Sequence, residues 1–149
     1  MTKPTQLYVA TTLIIKHEDK YVLIERKNPP YGFALPGGFL EPNLTGVKNG
    51  EKEAKEETNL EILIHNPYTP IVFSSPDRDP RSRVVDLIYI ATGTGKLAAG
   101  DDAKAVHEFW PDEIEKMFGK NKFAFDHEDI LKHYFSRRMF YDYSGNDRR

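Results

Sequence analysis

Short apolar runs separated by polar turns set the pattern of this chain, and over its first part they read as strands rather than helices. Leu7–His17 is rich in β-branched and aromatic residues and reads as a buried strand. Glu18, Asp19 and Lys20 mark a turn, and residues 21–26 read as the hairpin partner. Asn28, Pro29, Pro30, Tyr31 and Gly32 form a loop by composition. Pro36-Gly37-Gly38 follows a short apolar stretch, and Phe39-Leu40 resumes strand character. Residues 45–58 are charged, with helix formers prevailing after Gly50. The Asn49-Gly50 pair is poor for a helix, costing about 1.5 kcal/mol against two alanines.

Residues 60–64, 70–74 and 83–92 are expected strands, with a polar, proline-containing loop over 75–82. Residues 93–104 form a Gly/Asp-rich loop and 106–110 a short strand. Residues 111–117 suit a short helix with Pro111 in its first turn. Residues 126–137 read as an amphipathic helix carrying Ile130, Leu131 and Tyr134 on one face. Residues 141–149 read as a fraying tail. Strands and helices mix without regular alternation and no repeat is present, so the expected fold is a mixed α/β sandwich forming one domain over 1–149.

Composition narrows the function. The net charge of −2 offers no basic field for nucleic acid. No apolar run approaches the ~20 residues that span a bilayer, and the first residues lack the apolar core of a signal peptide, so a membrane role is not expected and the cytoplasm is the expected address. The absence of cysteine removes thiolate nucleophiles and Cys-type zinc sites. The most informative segment is 38–60. Glu53, Glu56 and Glu57 stand at i, i+3 and i+4, which on a helix puts them on one face at roughly 5–6 Å. Like charges at that spacing repel, and a divalent cation reverses the sign; Mg2+ wants oxygen donors and keeps several waters. By composition alone, a solvated face with i,i+4 pairs such as Lys52 with Glu56 is the better reading. The preceding Gly37-Gly38 bend shifts the balance, because glycine lets backbone approach a ligand.

These residues resemble the Nudix box, G-x5-E-x7-R-E-U-x-E-E-x-G-U with U a bulky aliphatic. Laid on the chain without a gap, it runs from Gly38 to Leu60, and Gly38, Glu53, Glu56, Glu57 and Leu60 match. Ala54 is smaller than the expected aliphatic; Leu44 replaces Glu, Lys52 replaces Arg and Asn59 replaces Gly. Lys52 keeps the charge without the bidentate fork of Arg, and Asn59 is the next-best residue for a left-handed helix end. The resemblance implies an α/β/α sandwich of the Nudix type. It implies Mg2+, with Mn2+ as a substitute, held by Glu53, Glu56, Glu57 and the carbonyl of Gly37.

Pro76 lies sixteen residues past Leu60, an offset that in this family marks ADP-ribose-cleaving members. The stretch Ser75-Pro76-Asp77-Arg78-Asp79-Pro80-Arg81 resembles their arginine loop, and Gly100-Asp101-Asp102-Ala103 and Phe123-Ala124-Phe125-Asp126-His127 resemble further segments of that subgroup. The resemblance thus implies hydrolysis of ADP-ribose to AMP and ribose 5-phosphate. Candidate catalytic residues are Glu53, Glu56, Glu57, Lys52, Asp101 and Asp102; the general base is left open among Glu56, Glu57, Asp101 and Asp102. Candidate substrate contacts are Arg26, Phe33, Gly38, Pro76, Arg78 and Arg81, with His127 as a further phosphate contact. Phe33 reads at least as well as core packing, and Arg78 and Arg81 as partners of Asp77 and Asp79 in a surface turn. Relatives carry a glutamate where Ala105 stands, and nearby Glu108 is out of place for that role. The expected partner is a nucleotide, with a homodimer implied by the resemblance alone. The alternatives are a nucleotide sensor without turnover, or hydrolysis of NADH, a dinucleoside polyphosphate or a nucleotide sugar.

Overall fold

A computed structural model gives the architecture, described here for residues 6–100 and 103–138. Eight strands form one mixed sheet: β1 (Leu7–His17), β2 (Lys20–Arg26), β3 (Phe33–Ala34), β4 (Gly37–Phe39), β5 (Glu61–Ile64), β6 (Ile71–Phe73), β7 (Arg83–Thr94) and β8 (Ala103–Phe109). The main path runs β3-β2-β1-β7-β5, with β4 beside β1, β6 beside β7 and β8 beside β2. Its spine is the parallel pair β1 and β7, in register from Leu7 with Arg83 to His17 with Gly93.

Alternation along the spine sends side chains to both faces. Leu13 and Ile15 of β1, with Tyr89 and Ala91 of β7, pack against Ala54 of α1 (Gly46–Thr58) and against Leu60. Ile14, Ile88 and Ile90 face the other way, toward Ile114 of α2 (Pro111–Glu115) and Ile130, Leu131 and Tyr134 of α3 (His127–Ser136). A strand buried on both faces reads as continuously apolar, which is the pattern of 7–17 and 83–92. The outcome is an α/β/α layering. No helix among the described residues is long and apolar enough to cross a membrane. The expected tail at 141–149 lies outside the described residues.

Helix α1 begins four residues before Gly50, earlier than propensity suggests. Thr45 caps it, its hydroxyl accepting from the Lys48 N–H at 3.1 Å. The fully buried Asn49 donates to Thr11 Oγ1 (2.8 Å) and to the Phe39 carbonyl (3.2 Å), and accepts from the Glu41 N–H (3.1 Å). At Gly50 an added Cβ would meet Leu13 at 3.1 Å. The two weak helix formers therefore fasten α1 to β1 and to the turn after β4, so tertiary contacts override propensity. At the other end Asn59 adopts φ 66°, the left-handed cap that its residue type tolerates.

Candidate active site

A solvent-open cleft of about 550 Å³ lies where β4, the C-terminal half of α1, the loop before β7 and the segment before α3 meet. Its carboxylate wall comes from α1. Glu57 lines the cleft and accepts the Gly37 N–H at 2.7 Å. Glu53, one turn earlier, lies under Gly38, where an added Cβ would stand 2.6 Å from its carboxylate. Glycine at 38 is thus what lets strand backbone rest on a glutamate.

Glu56 points elsewhere. It is exposed and takes the Lys52 ammonium at 2.9 Å. Lys52 also reaches Glu41 at 2.9 Å, and these two carboxylates hold its pKa above the ordinary lysine value. Glu41 therefore supplies the carboxylate beside residue 52 that Leu44 cannot. Among the described residues no three acidic or imidazole side chains stand grouped as a ready-made metal site. The donor chemistry still fits a hard divalent ion: two carboxylates share the Gly37-Gly38 floor, and Glu56 is held aside by a solvent-exposed ion pair, a weak restraint.

The facing wall is cationic and assembled from distant segments. Pro76 is exposed and does not line the cleft; it sits in a turn closed by the Arg78 N–H donating to the Ser75 carbonyl at 3.2 Å. That turn delivers Arg78 inward. Arg78 lines the cleft, yet its fork is taken up by protein: Nε and Nη2 donate to Asp126 at 3.0 and 2.6 Å, and Nη2 to Asp86 at 3.1 Å. It ties the loop before β7 to the segment before α3. Asp86 also accepts from Thr12 Oγ1 at 2.8 Å. Burial, outweighing Arg78 and Thr12, raises the Asp86 pKa to about 6.

Arg81 remains half-exposed, gripped by Asp79 through Nε (3.0 Å) and Nη2 (2.8 Å). Burial opposes ionisation of Asp79, but the Arg81 fork and backbone N–H outweigh it and hold the carboxyl below its usual range. Arg26, at the end of β2, donates from Nε to the Pro30 carbonyl at 2.7 Å. Burial, then the neighbouring Arg81 charge, lower its pKa. His127 is buried, and its Nδ1 accepts the Leu35 N–H at 2.9 Å. Burial, reinforced by Arg78 and Arg26, pushes its pKa down to about 3, so it is neutral with its proton on Nε2. It can donate one neutral hydrogen bond but cannot act as a cation.

Of the residues singled out from sequence, Arg26, Gly37, Gly38, Glu57, Arg78, Arg81 and His127 line one cleft. Glu53 lies beneath it, and Lys52 and Glu56 stand on the outer side of α1. Phe33 follows the core-packing reading: it packs against His107 and Phe109 with ring centres at 5.6 and 5.5 Å and does not line the cleft. Phe125 takes the place at the cleft instead. Glu108 pairs with His17. Asp101 and Asp102 lie outside the described residues. Thr12 and Asp86 escaped sequence reasoning, although one signal was present: Asp86 is the lone acidic residue inside the apolar run 84–91.

The NUDIX domain family matches residues 6–134. A curated ADP-ribose pyrophosphatase of Methanocaldococcus jannaschii is 43% identical over 129 residues, covering 85% of this chain and 72% of that protein. A MutT/nudix family protein from Enterococcus faecalis superposes with a TM-score of 0.69 at 32% identity, covering 94% of this chain and 64% of that one. A bifunctional NMN adenylyltransferase/ADP ribose pyrophosphatase from Francisella tularensis, complexed with AMP and a Mn ion, superposes with a TM-score of 0.79 at 24% identity. This chain spans 43% of that protein's length, and 91% of this chain is covered. With the family matched over most of its length, a glutamate helix packed under a glycine bend, and a relative at 43% identity, the chain belongs to the NUDIX family.

Proposed function

We propose that this protein hydrolyses the pyrophosphate of a nucleoside diphosphate joined to another moiety, with ADP-ribose as its substrate and AMP and ribose 5-phosphate as products. Family membership and the 43% relative support nucleotide pyrophosphate hydrolysis as the reaction class. The observation that carries the reading is one cleft with the Glu57 carboxylate on one wall and Arg26 and Arg81 on the other. A pyrophosphate needs cations for its non-bridging oxygens and an oxygen-rich site for the metal that Nudix hydrolases generally use.

Glu53, Glu56, Glu57 and the Gly37 carbonyl would hold Mg2+ (or Mn2+), which when bound supplies charge neutralisation and a more acidic water. The protein's own groups do the rest. Arg26 and Arg81 bind and orient the diphosphate, and the neutral His127 offers a hydrogen bond from Nε2. Water attacks one phosphorus, the bridging P–O bond breaks, and the second phosphate leaves. A carboxylate takes the proton from the attacking water, a role typically worth ~10²–10⁴-fold. Glu56 and Glu57 are its candidates on α1, with Asp101 and Asp102 beyond the described residues.

The test is a panel of ADP-ribose, NADH, a dinucleoside polyphosphate and a nucleotide sugar with Mg2+, read by chromatography. The expected result is highest kcat/KM for ADP-ribose, AMP as product, and loss of turnover on adding EDTA. Preference for another member of the panel would replace the substrate. Tight ADP-ribose binding without product would make the protein a sensor.

A further inference from the structure

Four side chains across the cleft alternate ring and cation. The Arg81 guanidinium carbon lies 5.0 Å from the Phe39 ring centre and 5.0 Å from that of Phe125. The Arg26 guanidinium carbon lies 4.8 Å from the Phe125 ring centre. All four line the cleft. Both arginines are held by the same edge: Arg81 spends Nε and Nη2 on Asp79, and Arg26 spends Nε and Nη2 on the Pro30 and Pro29 carbonyls. Among the described residues, neither Nη1 has a hydrogen-bond partner. Two cations sharing a cleft repel, and the Phe125 ring contacts both.

Phe125 is placed there at a cost. Its backbone sits at φ 55°, in the left-handed region that bulky residues avoid. The next two residues hold it there: Asp126 by two bonds from Arg78, and His127 by the Leu35 N–H. Strain kept in place by buried anchors at a cleft points to function rather than accident. Cation–ring contacts of this length also favour guanidinium over the ring face.

We infer that Phe125 is a positioning residue that sets the spacing of Arg26 and Arg81, so that the cleft selects ligands with two linked phosphates over those with one. This rests on the proposed function for the identity of the natural ligand, but not for the effect itself. Phe125 gives each guanidinium a surface to lie on. Each Nη1 then offers its protons to a separate phosphate group. Without the ring the two arginines lose their fixed separation, and a diphosphate loses its advantage.

The experiment measures binding of AMP and ADP by calorimetry in chelator, for wild type, Phe125→Leu, Phe125→Met and Phe125→Tyr, with thermal unfolding of each. Wild type is expected to bind ADP at least tenfold more tightly than AMP. Phe125→Leu and Phe125→Met are expected to cut that ratio about fivefold or more while AMP affinity moves less than threefold, and Phe125→Tyr to restore it. Phe125→Met is unbranched and adapts to irregular space more readily than leucine, so it carries the test if the leucine variant does not fold. An unchanged ratio in a folded Phe125→Met protein overturns the inference, as does equal weakening of both ligands. Because no turnover is involved, failure of ADP-ribose hydrolysis in the substrate panel is a separate result.

Discussion

One wall of the cleft is a helix and the bend packed on it; the other is drawn from three separate stretches of chain. Glu53 and Glu57 share a helical face, and Gly37-Gly38 meets them within twenty residues. The cationic wall joins Arg26 of β2, Arg78 and Arg81 of the loop before β7, and Phe125–His127 before α3, with Arg78 bonding across 48 positions to Asp126. The carboxylate wall is fixed by helical spacing and a steric fit. The arginine wall depends on a buried charge network, in which removing one partner leaves an uncompensated charge. The two should therefore fail differently.

The largest expected effect separates them. Arg78→Met strips Asp86 and Asp126 of a partner that is 3% exposed, and breaking such a buried pair costs about 3–5 kcal/mol. Urea unfolding is expected to show that loss. Divalent-ion binding, measured below the unfolding transition, is expected to persist, because α1 and the glycine bend do not use Arg78. Coincident loss of ion binding in a still-folded protein would show the walls to be one unit.

A smaller effect concerns the carboxylate wall. His17 presents Nδ1 to Glu108 and Nε2 to the Gly95 carbonyl at 2.9 Å, so both ring nitrogens face acceptors. From Gly95 the chain runs along the end of α1: Asn59 Nδ2 donates to the Lys96 carbonyl at 2.8 Å, and the Ala98 N–H to the Thr58 carbonyl at 3.0 Å. Burial lowers the His17 pKa, but the Glu108 carboxylate and the Gly95 carbonyl outweigh it and raise it above 6.5. A raised folded pKa gives stability that is full below the unfolded value and lost as pH climbs through the folded one. Wild type is therefore expected to exceed His17→Gln in thermal stability most below pH 6.5, with the gap closing as pH rises above it. A gap that widens with pH would reverse the assignment.

The same contrast decides what was legible in the sequence. The strand spine and the glutamate face follow from periodicity, which is local. The fit of Glu53 under Gly38 needed only a missing Cβ. By contrast, Asn49-Gly50 read as a poor helix pair because its reward, three side-chain bonds to β1, β4 and the turn after it, is tertiary. Arg78 read as a surface or substrate arginine because its carboxylate partners Asp86 and Asp126 lie in other segments. Phe33 and Phe125 are both aromatic, and only strand packing and the left-handed turn decide which one reaches the cleft. Leu44 read as a lost carboxylate, while Glu41 folds back to Lys52 from three positions earlier.

In the proposed hydrolase, Glu53 and Glu57, facing the Gly37-Gly38 bend, would hold the divalent ion. Titrating Mn2+ by electron paramagnetic resonance into wild type, Glu53→Gln and Glu57→Gln tests it without a substrate. Wild type is expected to bind one Mn2+ and each variant to bind it at least tenfold more weakly, with unfolding temperatures close to wild type. Equal Mn2+ affinity in all three proteins would contradict it.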